Sequence, residues 1–364
     1  MSKAAELAAL IGSQSALSDR NMIINGSMAI SERGTSSTGQ GASDLFLVDR
    51  FHLNTNGNSA GRFTVTQESD GPSGIPNSLK LACTTADTSI AASERFFIEQ
   101  RLEGQNLQRM KKGTSDAQAI TVSFYVKGNA AATYVVGIFD TDNSRQIGAQ
   151  FSVTTSWNRV SVTFPGDTGG SALDDDNAES LSLRFFLHAG STYTGGTLQT
   201  TWDTAAGNEQ VGSGTTSIFD STSRTFFLTG VQMELGEQAT PFEHRSFGDE
   251  LQRCQRYYYK ISGDANLDFG VGICTTTTLA AVNCPFAVPM REKPTALEQS
   301  GTATHYDVLV DNGVVIANAV PVFQRATTVS STVGHGVASG LTAGEATIMR
   351  SRDNDAFLAW SAEL

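Results

Sequence analysis

The chain has 364 residues, of which 39% are hydrophobic, 17% are charged and 35 are glycines. At roughly 150 residues per domain, this length implies two or three domains with material for more than one core. The composition excludes a coiled coil, a collagen and a charge-driven disordered chain, and the net charge of −12 repels nucleic-acid phosphates and anionic membranes.

In chain order, the first predicted element is a short amphipathic helix. Ala4, Leu7, Ala8 and Ile11 recur at i, i+3, i+4 and i+7, with Ser2 as N-cap and Gly12 as stop. A helix this short is unstable alone in water, so it docks on its own domain or on another chain. The polar stretch 13–20 reads as a connector and favours another chain. No basic flank and apolar stretch of a secretion signal opens the sequence, and no apolar run approaches the roughly 20 residues that span a bilayer. Synthesis in the cytoplasm and no membrane insertion are the expectation.

From Asn21 to about Gly248 the period changes to two. Ile120, Val122, Phe124 and Val126 alternate with Thr121, Ser123, Tyr125 and Lys127, which predicts a strand with one buried face. The same pattern recurs at Val160–Phe164, Leu181–Leu187 and Phe227–Leu235, and more weakly at 45–53, 62–67, 78–83, 95–101, 133–140 and 147–153. Turn-rich stretches separate these runs and no long helix offers a parallel crossover, so about nine or ten antiparallel strands predict a jelly-roll β-sandwich. The polar stretch 203–223 is too long for a tight hairpin and reads as a surface excursion.

At 246–260 the alternation breaks, because Phe247, Leu251, Cys254 and Tyr258 recur at helical spacing behind a capping-box-like Ser246 and Asp249. Alternation resumes at 267–273, 279–286, 306–310, 314–319, 345–350 and 356–364. The predicted organisation is therefore an anchoring helix and connector (1–20), a jelly-roll domain (21–248), a helical joint (249–260) and a second, smaller antiparallel β domain (261–364). Pro285, Pro289, Pro294 and Pro321 belong at its strand ends or edges, since proline cannot donate to a central ladder.

Motifs that carry chemistry are scarce. No nucleophile elbow, phosphate-cradling glycine loop or paired-histidine metal motif is present, and the five histidines are isolated in sequence. This predicts a protein that is not an enzyme, although two carboxylates suffice for glycoside hydrolysis and any sandwich this acidic offers pairs of them. Asp174, Asp175 and Asp176, with Asn177, form the one acidic cluster whose chemistry suits a hard cation such as calcium; its spacing is not that of an EF-hand, and a solvated turn is the simpler reading. Otherwise no cofactor is expected. The cysteines Cys83, Cys254, Cys274 and Cys284 include no CxxC pair and read as buried thiols, with a Cys274–Cys284 pairing across a hairpin left open. Among the aromatics, whose faces stack on sugar rings, Trp157, Trp360 and Tyr258 fall on core stripes, whereas Tyr193 and Trp202 flank the loop 195–201 and are the candidate ligand-binding residues.

Several runs together carry a family resemblance. The opening Asn21-Met-Ile-Ile-Asn-Gly-Ser-Met-Ala-Ile-Ser-Glu-Arg-Gly34 is followed by Asp49-Arg-Phe51, Glu103-Gly-Gln-Asn-Leu107, Thr121-Val-Ser-Phe-Tyr-Val-Lys127 and Trp157. The closing run Thr229-Gly-Val-Gln-Met-Glu-Leu-Gly-Glu-Gln-Ala-Thr-Pro-Phe-Glu-His-Arg245 leads into Glu250-Leu251, Cys254-Gln-Arg-Tyr-Tyr258 and the terminal Trp360-Ser-Ala-Glu-Leu364. In this order they resemble bacteriophage virion proteins of the tail-fibre type. The resemblance implies a carbohydrate-binding-module-like jelly roll followed by a β-rich distal domain, commonly as a homotrimer in a virion appendage. It also implies contact with other tail or virion proteins through Leu7, Ala8 and Ile11 of the N-terminal helix, and attachment to a host-surface glycan or receptor. One departure is local: Ile30 stands where an aromatic is common before Arg33-Gly34. If that aromatic binds ligand, this site is lost here; if it is core, Ile30 replaces it. Two other readings stay open, a head fibre or capsid-decorating protein that binds no sugar, and a polysaccharide depolymerase.

Overall fold

The computed structural model describes residues 19–57, 60–264 and 266–364. The predicted N-terminal helix, with Leu7, Ala8 and Ile11, lies outside the described residues. The chain divides into two compact units, one up to Phe247 together with Leu364 and one over Gly248–Glu363.

In the first unit, alternation becomes strand almost wherever it was strong. The strands are β1 (Ser36–Gln40), β2 (Leu45–Phe46), β3 (His52–Asn54), β4 (Arg62–Glu68), β5 (Ser78–Thr85), β6 (Arg95–Glu103) and β7 (Ile120–Gly128). They continue as β8 (Ala132–Asp140), β9 (Arg145–Val153), β10 (Asn158–Phe164), β11 (Glu179–Ala189), β12 (Asp203–Thr204) and β13 (Thr225–Leu235). They form a six-stranded sheet ordered β1-β4-β5-β13-β7-β10 and a seven-stranded sheet ordered β12-β9-β8-β11-β6-β3-β2, with antiparallel pairing throughout. From β5 to β11 every connection changes sheet except the β8–β9 hairpin, and β13 returns between β5 and β7. That winding is a jelly roll. The predicted strand over 45–53 is in fact two short strands, β2 and β3, because Asp49 and Arg50 turn the chain between them, Arg50 at φ 73°.

The inner faces interlock. Phe63, Val65, Leu79, Leu81, Val122, Phe124 and Val126 of one sheet share a core with Phe96, Ile98, Val136, Phe151, Leu183 and Phe185 of the other. Phe124 meets Phe185 and Phe151 edge-on across the interior, each at 5.0 Å between ring centres, worth about 1 kcal/mol apiece beyond burial.

The stretch 203–223, predicted as a surface excursion, belongs to a longer segment, 190–224, that is not one. It carries the short helix α1 (Ser191–Thr194) and β12, and it packs back on the sandwich. Tyr193, Leu198 and Val211 cover Phe97, Val135 and Phe186 on the outer face of the seven-stranded sheet, while Ile218 and Phe219 enter the main core. A few apolar residues, one to thirteen apart with no period, suffice to anchor the loop, and no periodic signal announces them.

The runs that carried the family resemblance fold onto one another. Asn21 Nδ2 donates to the Val231 carbonyl at 3.0 Å, and its Oδ1 accepts from the amides of Ile23 and Met233. Glu243 accepts the Asn21 amide at 2.7 Å, Arg245 donates to the Ile23 carbonyl at 2.9 Å, and Asn25 is bonded to both Ile30 and the Asp49 carbonyl. Ile30 is 2% exposed, so a large apolar side chain at that position is buried rather than presented to a ligand.

The second unit opens with helix α2 (Phe247–Gln255). The helix ends before the predicted 260, because Tyr258 begins strand β14 (Tyr258–Ser262) and pairs with Ser361. The further strands are β15 (Asp268–Cys274), β16 (Leu279–Pro285), β17 (Glu298–Gln299), β18 (Tyr306–Val310), β19 (Gly313–Ile316), β20 (Val322–Ala326), β21 (Ser330–Gly336), β22 (Ala346–Ser351) and β23 (Phe357–Ser361). They make a three-stranded sheet, β14-β23-β17, and a seven-stranded sheet, β19-β18-β22-β15-β16-β21-β20. Both contribute to one core of Phe269, Val282, Tyr306, Val308, Val333, Leu358 and Trp360. Pro285 ends β16 and Pro321 precedes the edge strand β20.

The outer face of this seven-stranded sheet is aliphatic. Register aligns Val314, Leu309, Ile348 and Val271 in one row, and Ala346, Ile273, Ala281, Gly334 and Val322 in the next. Val271 is 64% exposed, Val322 51%, Val314 50% and Ile273 48%, an apolar patch large enough to require an explanation.

The cysteines are free and buried. Cys274 lies opposite Ala280 and Cys284 four residues further along β16, a separation of roughly 13 Å at the rise of a strand, so the pairing left open from sequence is not formed. Burial pushes the Cys284 thiol up to about 12.

Candidate binding face

The most elaborated surface of the first unit is the outer face of its seven-stranded sheet. Residues directly opposite one another in a sheet point to the same side, and register places Phe46, His52, Glu99, Arg184, Gly137 and Gly148 in one row across β2, β3, β6, β11, β8 and β9. Neighbouring rows on the same face bring Phe97, Arg101, Phe139 and Phe186 beside it. In sequence these residues are scattered from position 46 to position 186, and only strand pairing unites them.

Glu99 is the centre of the row. It is 1% exposed and accepts from His52 Nδ1 at 3.0 Å, from Arg101 at 2.8 and 2.9 Å and from Arg184 Nε at 3.1 Å. Burial alone would raise its carboxyl, but the His52 hydrogen bond and the Arg184 and Arg101 charges outweigh that and hold it at about 2. The cations are in turn spread over aromatic faces. Arg184 lies 4.2 Å from the Phe139 ring centre and 5.3 Å from that of Phe97, Arg33 lies 4.9 Å from that of Phe46, and His52 stacks on Phe46 at 4.7 Å. Arg95 sits between Phe97 and Tyr193, at 4.8 and 4.6 Å.

Beyond Arg184 the paired glycines Gly137 and Gly148 put no side chain on the sheet. The resulting depression is walled by Phe139, Phe186 and Arg184 on one side and by Gln146, Gln199 and Gln210 on the other. Its volume of about 10 Å³ holds one water and not a sugar ring, so a ligand would lie across the face. The amides are oriented: Gln146 Nε2 donates to Gln199 Oε1 at 2.7 Å, and Arg95 donates to Gln210 Oε1 at 2.7 Å. A preorganised surface of guanidinium and amide groups, held from below by the buried Glu99 and set among the half-buried rings of Phe46, Phe139 and Tyr193, can meet the alternating hydroxyl edges and apolar faces of a polysaccharide.

The residues singled out from sequence are placed unequally. Tyr193 is half-buried and belongs to this face through Arg95 and the Phe97–Phe186 cluster. Trp202 does not: its indole donates to the Pro165 carbonyl at 2.8 Å and its ring packs against the main core. Asp174, Asp175 and Asp176 are all exposed. Among the described residues the one group of three ligand-type side chains that converges is a different one, Asp87, Glu94 and His188.

Trp157, read as core, is instead half-buried on the outer face of the six-stranded sheet. There it meets Phe227 edge-on at 6.1 Å, donates to Asp70 at 3.1 Å and lies 5.1 Å from Lys127 Nζ. Lys127 is also bonded to Asp70, so the polar groups of this second cluster satisfy one another.

Comparison with models of known families finds no match, and none is found among curated proteins. Solved structures similar to this chain include carbohydrate-binding modules. A family 61 module, solved in complex with β-1,4-galactotriose, is 10% identical, with 60% of this chain and 100% of that chain covered and a TM-score of 0.30. A family 11 module from Clostridium thermocellum, in complex with a β-1,3-1,4-mixed-linked tetrasaccharide, is 11% identical over 55% of this chain and 95% of that one, with a TM-score of 0.27. A xylan-binding family 22 domain from Paenibacillus barcinonensis is 13% identical over 56% and 94%, also at 0.27. The assignment to an all-β jelly roll rests on the strand order itself.

Proposed function

We propose that the chain is a non-catalytic, glycan-binding structural protein of a bacteriophage virion, a tail-fibre component whose first unit contacts host-surface polysaccharide. The observation that carries glycan binding is the row Phe46–His52–Glu99–Arg184 with its glycine-floored end. Its groups are held by one another on rigid strands, so little ordering is required when a ligand binds. The virion assignment is supported by the motif series read in sequence and by what those motifs do. Asn21, Glu243 and Arg245 hold the two ends of the first unit together through bonds spanning 210 to 222 residues.

Glu99 is a poor candidate for a glycosidase acid. A carboxyl held at about 2 has no proton to give near neutrality, so binding is the reading favoured over depolymerisation. Self-association is supported by the aliphatic outer face of the second unit's large sheet, an area that a homotrimer would bury. Three weak sites per trimer, on several trimers per particle, give firm attachment without any single tight pocket.

A glycan microarray probed with the purified chain tests the binding claim. Arg184→Ala together with Phe139→Ala is expected to reduce signal at least tenfold, while Trp157→Ala, on the other sheet, leaves it within about twofold. Equal loss from both, or no glycan retained by the wild type, would refute it. Antibody labelling of intact particles separates a tail from a head location.

A further inference from the structure

Asp87 lies in the loop after β5, Glu94 directly precedes β6 and His188 stands near the end of β11. One ligand atom from each lies within 4.8 Å of the other two, and the residues are 4%, 0% and 2% exposed. Two features set this group apart from a self-satisfied polar cluster. Asp87 Oδ1 accepts the Ser89 amide at 3.0 Å, but Asp87 Oδ2 is buried and has no hydrogen-bond partner. His188 Nδ1 is 2.8 Å from Ser217 Oγ, which itself accepts the Phe219 amide at 3.0 Å. His188 Nε2 is 3.4 Å from Glu94 Oε2, which also accepts the Ala91 amide at 3.2 Å; in the tautomer with Nδ1–H donating to Ser217 Oγ, the Nε2 lone pair is open to a cation.

We propose that Asp87, Glu94 and His188 form a divalent transition-metal site, with zinc as its ion. A buried carboxylate oxygen without a donor, converging with an imidazole nitrogen and a second carboxylate oxygen, is an arrangement that a cation completes. Metal–ligand bonds of about 2.0–2.1 Å at tetrahedral angles put neighbouring ligand atoms about 3.3–3.4 Å apart, the separation found between Nε2 and Oε2. The nitrogen donor discriminates against calcium and magnesium, which take oxygen ligands. Ser217 supplies the outer hydrogen bond that orients a metal-bound imidazole. The site ties the 86–94 loop and the Ser217–Phe219 segment to the sheet, and so fixes one end of the sandwich. It is independent of the glycan reading.

The test uses the full chain, stripped by a chelator, dialysed and titrated with zinc chloride, with bound metal counted by plasma mass spectrometry and the melting temperature followed in parallel. One zinc per chain and a rise of about 5 °C or more at saturation are expected. Asp87→Asn preserves shape and packing while removing the anionic oxygen, and His188→Gln removes the nitrogen donor; each should abolish the stoichiometric zinc and the rise. Asp174→Asn should leave both intact. The proposal fails if the wild type takes up no zinc at micromolar concentrations, if calcium and not zinc binds, or if folded Asp87→Asn retains the same stoichiometry. Should His188→Gln fail to fold, the Asp87→Asn comparison alone decides.

Discussion

His335 is an ionisable side chain placed where ionisation is forbidden. It is fully buried among Tyr306 and the aliphatics of the second core, both ring nitrogens lack a partner, and burial lowers it to about 4. Above pH 6.5 the ring is neutral folded and unfolded, and the group contributes no pH dependence. As pH falls from 6.5 toward 4 the unfolded chain binds a proton that the folded chain refuses, so about 3 kcal/mol of the second unit's stability is lost across that window. His335→Leu should flatten the profile between pH 6.5 and 4 in urea titrations. Glu99 acts in a lower window and with the opposite origin: its folded value near 2 lies below the ordinary 4.5, so the stability it contributes is complete above about 4.5 and disappears as pH falls toward 2. Asn21 illustrates a buried amide with three side-chain bonds, two to Val231 and Met233 of the distant strand β13 and one to the nearby Ile23. Asn21→Ala orphans buried backbone groups of Val231 and Met233, and a loss of about 2–4 kcal/mol from the first unit is expected in chemical denaturation.

At the scale of elements, legibility followed the strength of alternation. β7, β10, β11 and β13 have long, clean apolar–polar patterns and were readable from sequence, as was the thiol burial of the four cysteines. β21 was not, because Ser330–Gly336 carries two glycines and small polar residues whose burial comes from pairing with β16. β14 was misread as helix because Tyr258 falls one helical repeat beyond Cys254. The candidate face was illegible for a related reason. Glu99 and Arg184 sit on the polar side of alternating strands and look solvated one strand at a time; only register turns them into a row. Trp157 was assigned to core by its position at the head of β10, yet the pleat puts it on the outer face. Conversely, the aliphatic rows on the second unit's sheet read in sequence as ordinary strand alternation. If they are the self-association surface, Val271→Asp with Ile273→Asp, both substitutions at exposed positions, should reduce the mass measured by light scattering to that of one chain without lowering the melting temperature of the second unit. An unchanged oligomer would remove that role.

At the scale of the molecule, two units with separate cores predict two calorimetric transitions, of which only the one belonging to the second unit should respond to His335→Leu. A single transition, or a response of both, would show the units to be one cooperative block. Between β5 and β11 the first unit's jelly roll changes sheet at every connection but one, which brings distant strands together and makes its outer faces composite surfaces. On one of those faces the positive charges of Arg101 and Arg184 converge on the buried carboxylate of Glu99, and Arg184 lies over the Phe139 and Phe97 rings. The most direct test of the account is a crystal structure of the chain with an oligosaccharide selected on the array. Density lying across β6, β11 and β8, with ring contacts to Phe139 or Tyr193 and hydroxyls bonded to Arg184 or the glutamine amides, is the predicted result. Density confined to the Trp157 cluster or to the second unit would contradict it.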